Sequence, residues 1–152
     1  MIKRFICILL IVICLLSLPL HSFATNTIET PSVIYLDDGS YITITISEIE
    51  TRASGTKTGQ KTYTCTANSG TVCWDATLTG TFTYTGSSAT CTYSDCSVTI
   101  YENNWYTVSK SAAKSGNTAT ASVTMGRKVL GITIAKDTYN MTLSCDANGN
   151  VS

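Results

Sequence analysis

Cysteines and carboxylates are the side chains with which this sequence could do chemistry. Of its seven cysteines, Cys7 and Cys14 lie in an oily amino-terminal run, and Cys65, Cys73, Cys91, Cys96 and Cys145 follow it. In an exported chain such a set reads first as disulfides. Zinc is a poor rival, because no Cys-x-x-Cys pair occurs and His21, the sole histidine, sits in the same amino-terminal run. Without an imidazole beyond that run, no base stands ready to take a proton from serine or cysteine. Ser111-Ala112-Ala113-Lys114 matches only the letters of a serine–lysine motif, since its neighbours are polar and small. Glu48 and Glu50 are two apart, so on a strand their Cα atoms lie roughly 7 Å apart, near the spacing of an acid and base pair in inverting glycosidases. Two acids at a strand end more commonly discourage sheet edges from pairing.

Other candidates are binding groups. Tyr101, Trp105 and Tyr106 cluster beside a turn, where flat rings can stack on sugars or anchor a partner; the competing reading has Trp105 plugging the end of the fold. Asp37-Asp38-Gly39-Ser40 and Asp146-Ala147-Asn148-Gly149-Asn150 carry oxygen ligands, but the second stops short of the carboxylate a calcium loop needs. Asx turns account for both. Alternate threonines from Thr77 to Thr85, with Thr43 and Thr45, could suggest an ice-binding ladder. That needs several repeated strands, and ordinary wet-face β propensity suffices.

The elements that must position these groups are strands. From Val72 to Tyr84, the even positions Val72, Trp74, Ala76, Leu78, Phe82 and Tyr84 are apolar, and most odd ones are threonine. A period of two predicts one dry face and one wet face. Gly86-Ser87 predicts a tight turn that sets Tyr84 opposite Ala89 and Phe82 opposite Cys91, and turns Ala89, Cys91 and Tyr93 inward. Alternation also predicts strands at 33–36, 41–46, 61–67, 96–100, 105–108, 119–125, 130–134 and 137–145, with loops at 52–60 and 109–117 and a turn at Ser94-Asp95. A bulge or an exit from the core is expected at Ser47.

Residues 1–24 read as a signal peptide: Lys3 and Arg4 lead an apolar run, and Ser22-Phe23-Ala24 offers a cleavage site. Residues 25–32 read as a flexible leader. Residues 33–152 then form one all-β domain, an immunoglobulin-like antiparallel β-sandwich. Without Lys3 and Arg4, eight basic residues face ten acidic ones, a balance that favours neither nucleic acid nor an anionic membrane. No later run is long enough to serve as a stable membrane anchor. Cys91 and Cys145, both on apolar faces, are expected to bridge the sheets. Cys65 and Cys73, set opposite each other about the Asn68-Ser69-Gly70 turn, are expected to staple the outer surface, leaving Cys96 free or joining two molecules as a disulfide-linked dimer. Spacing leaves other pairings open, Cys91 with Cys96 among them.

The runs Tyr35–Tyr41 (YLDDGSY), Leu78–Cys91 (LTGTFTYTGSSATC) and Thr142–Cys145 (TLSC) resemble a group of small secreted proteins from anaerobic Gram-positive bacteria. The likeness covers most of the chain after residue 24. It implies export and a single β domain and carries no activity; Cys65, Cys73 and Cys96 depart from that group's pattern. The expectation is a secreted, non-catalytic interaction module without a cofactor, binding a protein or glycan at a cell surface. The alternative is a small polysaccharide hydrolase using Glu48 and Glu50.

Overall fold

The computed structural model describes residues 25–27, 31–49 and 55–152, and every regular element among them is a β-strand. In chain order these are β1 (Thr25–Thr27), β2 (Ser32–Tyr35), β3 (Tyr41–Ile49), β4 (Thr56–Thr66), β5 (Val72–Tyr84), β6 (Ala89–Ile100), β7 (Trp105–Ser115), β8 (Thr118–Val129) and β9 (Ile132–Ser144). One antiparallel sheet runs β3-β4-β5-β6, with β1 and β2 sharing the outer edge of β3; the other runs β7-β8-β9. Apart from β1, which pairs with β3, neighbours in each sheet are neighbours in sequence, so the body of the chain is a meander. The smaller sheet lies across the larger, with β9 over β4 and β5, and β8 over β5 and β6.

The strand at the centre is the one with the cleanest alternation. Trp74, Ala76, Leu78 and Phe82 of β5 are fully buried, and they meet Val123, Met125, Met141 and Leu143 from the smaller sheet. Gly80 keeps the parity but lacks a side chain. A Cβ there would stand 2.8 Å from the Phe82 ring and 3.0 Å from Ala119, so the glycine lets β8 approach. The outer edge of β9 is covered from below: Lys61 donates to the Thr142 carbonyl (3.2 Å) and Tyr63 to that of Asn140 (3.3 Å). Capping of this kind keeps an open ladder from recruiting another chain.

The β5–β6 hairpin has the expected register, with Tyr84 opposite Ala89 and Phe82 opposite Cys91. Beyond that the sequence reading needs correction. Thr92 is an extra residue, because Thr81 pairs with Tyr93 and Phe82 with Cys91. One inserted residue reverses parity, so Tyr93 faces water at 52% exposure and Cys96 turns inward opposite Leu78. Ser94-Asp95 is strand, not turn. No bulge falls at Ser47, and β3 pairs without interruption to Ile49. Ser109–Ser115 is strand as well, and it escaped notice because nearly all of it is exposed and shows no dry face. Within the stretch read as a leader, Thr25–Thr27 and Ser32 pair along β3, and the expected strand from Val33 continues that pairing to Tyr35. Residues 1–24, read as a signal peptide, lie outside the described residues.

Leu130 and Gly131 join β8 to β9, with φ of 50° and 81°. A two-residue turn with both φ positive suits Asn-Gly, and leucine strains it. Leu130→Asn is therefore expected to raise stability by about 1 kcal/mol, read as a higher urea midpoint at unchanged slope.

Candidate functional site

Three turns and one strand converge at one end of the sandwich. The β2–β3 turn brings Asp38 and Ser40, the β4–β5 turn Asn68 and Ser69, the β6–β7 turn Glu102 and Asn104, and β8 brings Arg127. Together they line a cleft of about 370 Å³ over Trp105, within the size range of small-ligand sites. A second cleft of about 330 Å³ lies beyond, lined by Leu36, Asp37, Ile134, Ala135 and Asp137 and sharing Asp38, Trp105 and Arg127 with the first.

Asp38 holds the wall between them. Its carboxylate accepts the Ser40 amide (3.0 Å) and hydroxyl, an Asx turn that fixes the loop, and it accepts Arg127 Nη1 at 2.5 Å. Ser40 first and Arg127 second hold its pKa below the usual carboxylate range. Arg127 in turn lies over the Trp105 ring, 5.7 Å from its centroid. Trp105 is only 7% exposed and meets Trp74 edge-on at 6.1 Å, while the Tyr139 ring lies tilted 5.1 Å from Trp74. Trp74 Nε1, Arg127 Nε and the Tyr139 hydroxyl are buried without a partner. Burial, then Asp137, pushes the Tyr139 pKa upward.

Four carboxylates, Asp37, Asp38, Glu102 and Asp137, thus face one guanidinium that is already paired. The site can hold cations and hydrogen-bond donors. Cys73 also lines the first cleft, beside Cys65, whose thiol is pushed up to about 12 by burial and by Cys73. A Cys65 thiol protonated at neutral pH is a weak nucleophile. Among the described residues, no group of three or more His, Cys, Asp or Glu is placed to hold a metal ion.

The residues singled out from sequence are dispersed. Trp105 forms the cleft floor, as the plug reading has it. Tyr101 is 54% exposed and donates to Asp75 Oδ2 (2.8 Å) on the outer face of the larger sheet. Tyr106 lies on the outer face of the smaller sheet, over Gly126, its hydroxyl 2.9 Å from Thr133 Oγ1 and Lys128 4.5 Å from its ring. The three rings do not share a face. Glu48 is ion-paired with Lys57 at 2.6 Å, and that bond raises the lysine pKa; Glu50 lies outside the described residues. Asp146 accepts Asn148 N, Asn150 N and Asn150 Nδ2 at 2.7–2.8 Å, so its oxygens are used by its own turn. The threonine row is wider than the sequence suggested, because β4 adds Thr58 and Thr62, each 3.0 Å from Thr81 and Thr77.

All five described cysteines are buried thiols. Cys65 and Cys73 are neighbours close enough that Cys73 helps to raise the Cys65 pKa, but both lie inside the fold and not on its surface, and the Cys73 thiol donates to the Thr71 carbonyl. Cys65 pairs with Trp74, and Cys73 is the extra residue of a bulge, so two successive β5 side chains point inward. Cys91 and Cys145 meet at the far end, where both amides donate to the β7–β8 turn, at Gly116 O (2.7 Å) and Asn117 O (3.1 Å). Each is close enough that ionisation of Cys91 would raise the Cys145 pKa. Cys96 is 4% exposed, so a link to another molecule requires β6 to open locally.

Sequence reasoning singled out the Asp37–Ser40 turn only as a possible calcium loop and missed Arg127 and the asparagines of the cleft. The one local signal was Gly126-Arg127-Lys128 interrupting an alternating strand. Comparison with protein-family models, curated proteins and solved structures finds no match to this chain.

Proposed function

We propose that this chain is an exported, non-catalytic interaction module that binds a protein or glycan at a cell surface through the Trp105 cleft. The observation that carries the reading is the cleft itself, a polar, acidic hollow formed by three turns over a buried indole, with hydrogen-bonding side chains on every wall. The fold suits such a role, since a rigid sandwich can present variable turns. Its meander order is best read as a two-sheet sandwich apart from the Greek-key connections of immunoglobulin domains. Cys65 with Cys73 and Cys91 with Cys145 are the disulfides we expect outside the cell, with Cys96 left as a thiol or, after local opening, a dimer link.

The hydrolase alternative has less support, because Lys57 engages the Glu48 carboxylate. A glycan array and a hydrolysis assay on cell-wall polysaccharides separate the two. Binding without turnover is expected, weakened about tenfold in Asp38→Asn, which keeps the turn but removes an acidic wall of the cleft. Turnover that disappears in Glu48→Gln would overturn the module.

A further inference from the structure

The β8–β9 hairpin breaks two rules at once. Its tip exposes Leu130 at 97%, Ile132 at 70%, Ile134 at 55% and Val129 at 47%, a cluster where a soluble surface usually has scattered apolar residues. Leucine also occupies a left-handed turn position that asparagine or glycine would fill without strain. Backbone strain and exposed apolar surface at one residue point to a contact made outside the folded chain.

The tip is continuous with the candidate site. Ile134 lines the second cleft together with Leu36, Asp37 and Asp137. The hairpin's lysines face elsewhere: Lys128 lies against Tyr106, and Lys136 pairs opposite Gly126 on that same outer face. The side toward the cleft therefore joins aliphatic side chains to an acidic hollow. Sugars offer hydroxyls and stack on rings; they do not use a branched aliphatic wall. We infer, on the reading that this chain is an interaction module, that its partner is a protein segment presenting a lysine or arginine beside aliphatic or aromatic side chains. The cation enters the hollow between Asp37 and Asp137, and the apolar residues seat against Ile134, Ile132 and Leu130.

The test is selection of a random-peptide phage library on the immobilised full chain, followed by calorimetry with the enriched peptide. Enriched sequences are expected to pair Lys or Arg with Leu, Ile, Phe or Trp within a few residues. Leu130→Asn should weaken that peptide by about tenfold or more without lowering the melting temperature, which separates lost contact from lost folding. Asp137→Asn should weaken it too, and added salt should erase much of the difference. Enriched sequences lacking a cation, or binding undiminished in Leu130→Asn, overturn the inference. So does self-association of the chain that Leu130→Asn abolishes. Failure to enrich any peptide while the glycan array binds overturns it and leaves the module standing; failure of both removes the two together.

Discussion

Trp74→Ala is expected to lower the unfolding free energy by about 3–5 kcal/mol, a third or more of the stability a domain of this size commonly has. Trp74 has no exposed surface, sits on the central strand, pairs with Cys65 on one side and Ile100 on the other, and supports Trp105 and Tyr139 through its ring. Alanine removes the transfer energy of an indole and leaves a hole that two flanking strands cannot close. The floor of the cleft rests on that indole, so the variant should also lose binding. Trp74→Phe should cost well under half as much, because it keeps most of the volume and removes an indole N–H that has no partner. Urea unfolding followed by circular dichroism measures both. A Trp74→Ala chain within about 1 kcal/mol of the parent would mean that the sheets are not packed around β5.

Alternation made β5 legible, and the Gly86-Ser87 turn carried that legibility into the first residues of β6. Parity then failed wherever a bulge inserted a residue. Cys73 is one such residue, and it turned a predicted surface staple into an interior pair. Thr92 is another, and it exchanged Tyr93 for Cys96 on the dry face. A third irregularity, at Arg127 and Lys128, hid a charged strand residue that reaches the cleft. Bulges are set by cross-strand packing, which a single strand's pattern does not contain. The candidate site was harder still. Asp38, Asn68, Asn104 and Arg127 are far apart in sequence, and only the register of two sheets and the lengths of three turns bring them together. Trp105 was readable, because a large ring beside a turn must be covered by something, and the Asp37–Ser40 run was readable as a turn rich in oxygen ligands.

Adding reductant to the oxidised protein is expected to cost up to about 6–7 kcal/mol, about 4 of it from the Cys91–Cys145 link, which closes a loop of roughly 55 residues. The geometry favours both pairs: Cys91 and Cys145 share the Gly116-Asn117 turn, and Cys65 pairs with Trp74, next to the inward-turned Cys73. The pH dependence of stability distinguishes the two redox states. In the reduced chain Cys65 has its pKa raised from 9.0 to about 12, and burial raises Cys91, Cys96 and Cys145 as well. Their protonated forms are favoured by folding, so this stability is complete below pH 9 and declines as pH rises toward the folded values, because the unfolded thiols release their protons first. Cys65 alone contributes a slope of up to about 1.4 kcal/mol per pH unit in that range. Tyr139 carries the same sign but begins only above its ordinary value of 10.0, so the interval between pH 9 and 10 isolates the cysteines. Bridged at Cys65–Cys73 and Cys91–Cys145, the oxidised chain should keep only the contribution of Cys96. Urea midpoints with and without reductant across that interval decide the matter. Equal midpoints and equal slopes in the two states would show that neither pair forms, whereas a slope that lessens on oxidation and a fall on reduction that Cys145→Ala reproduces would assign the long bridge.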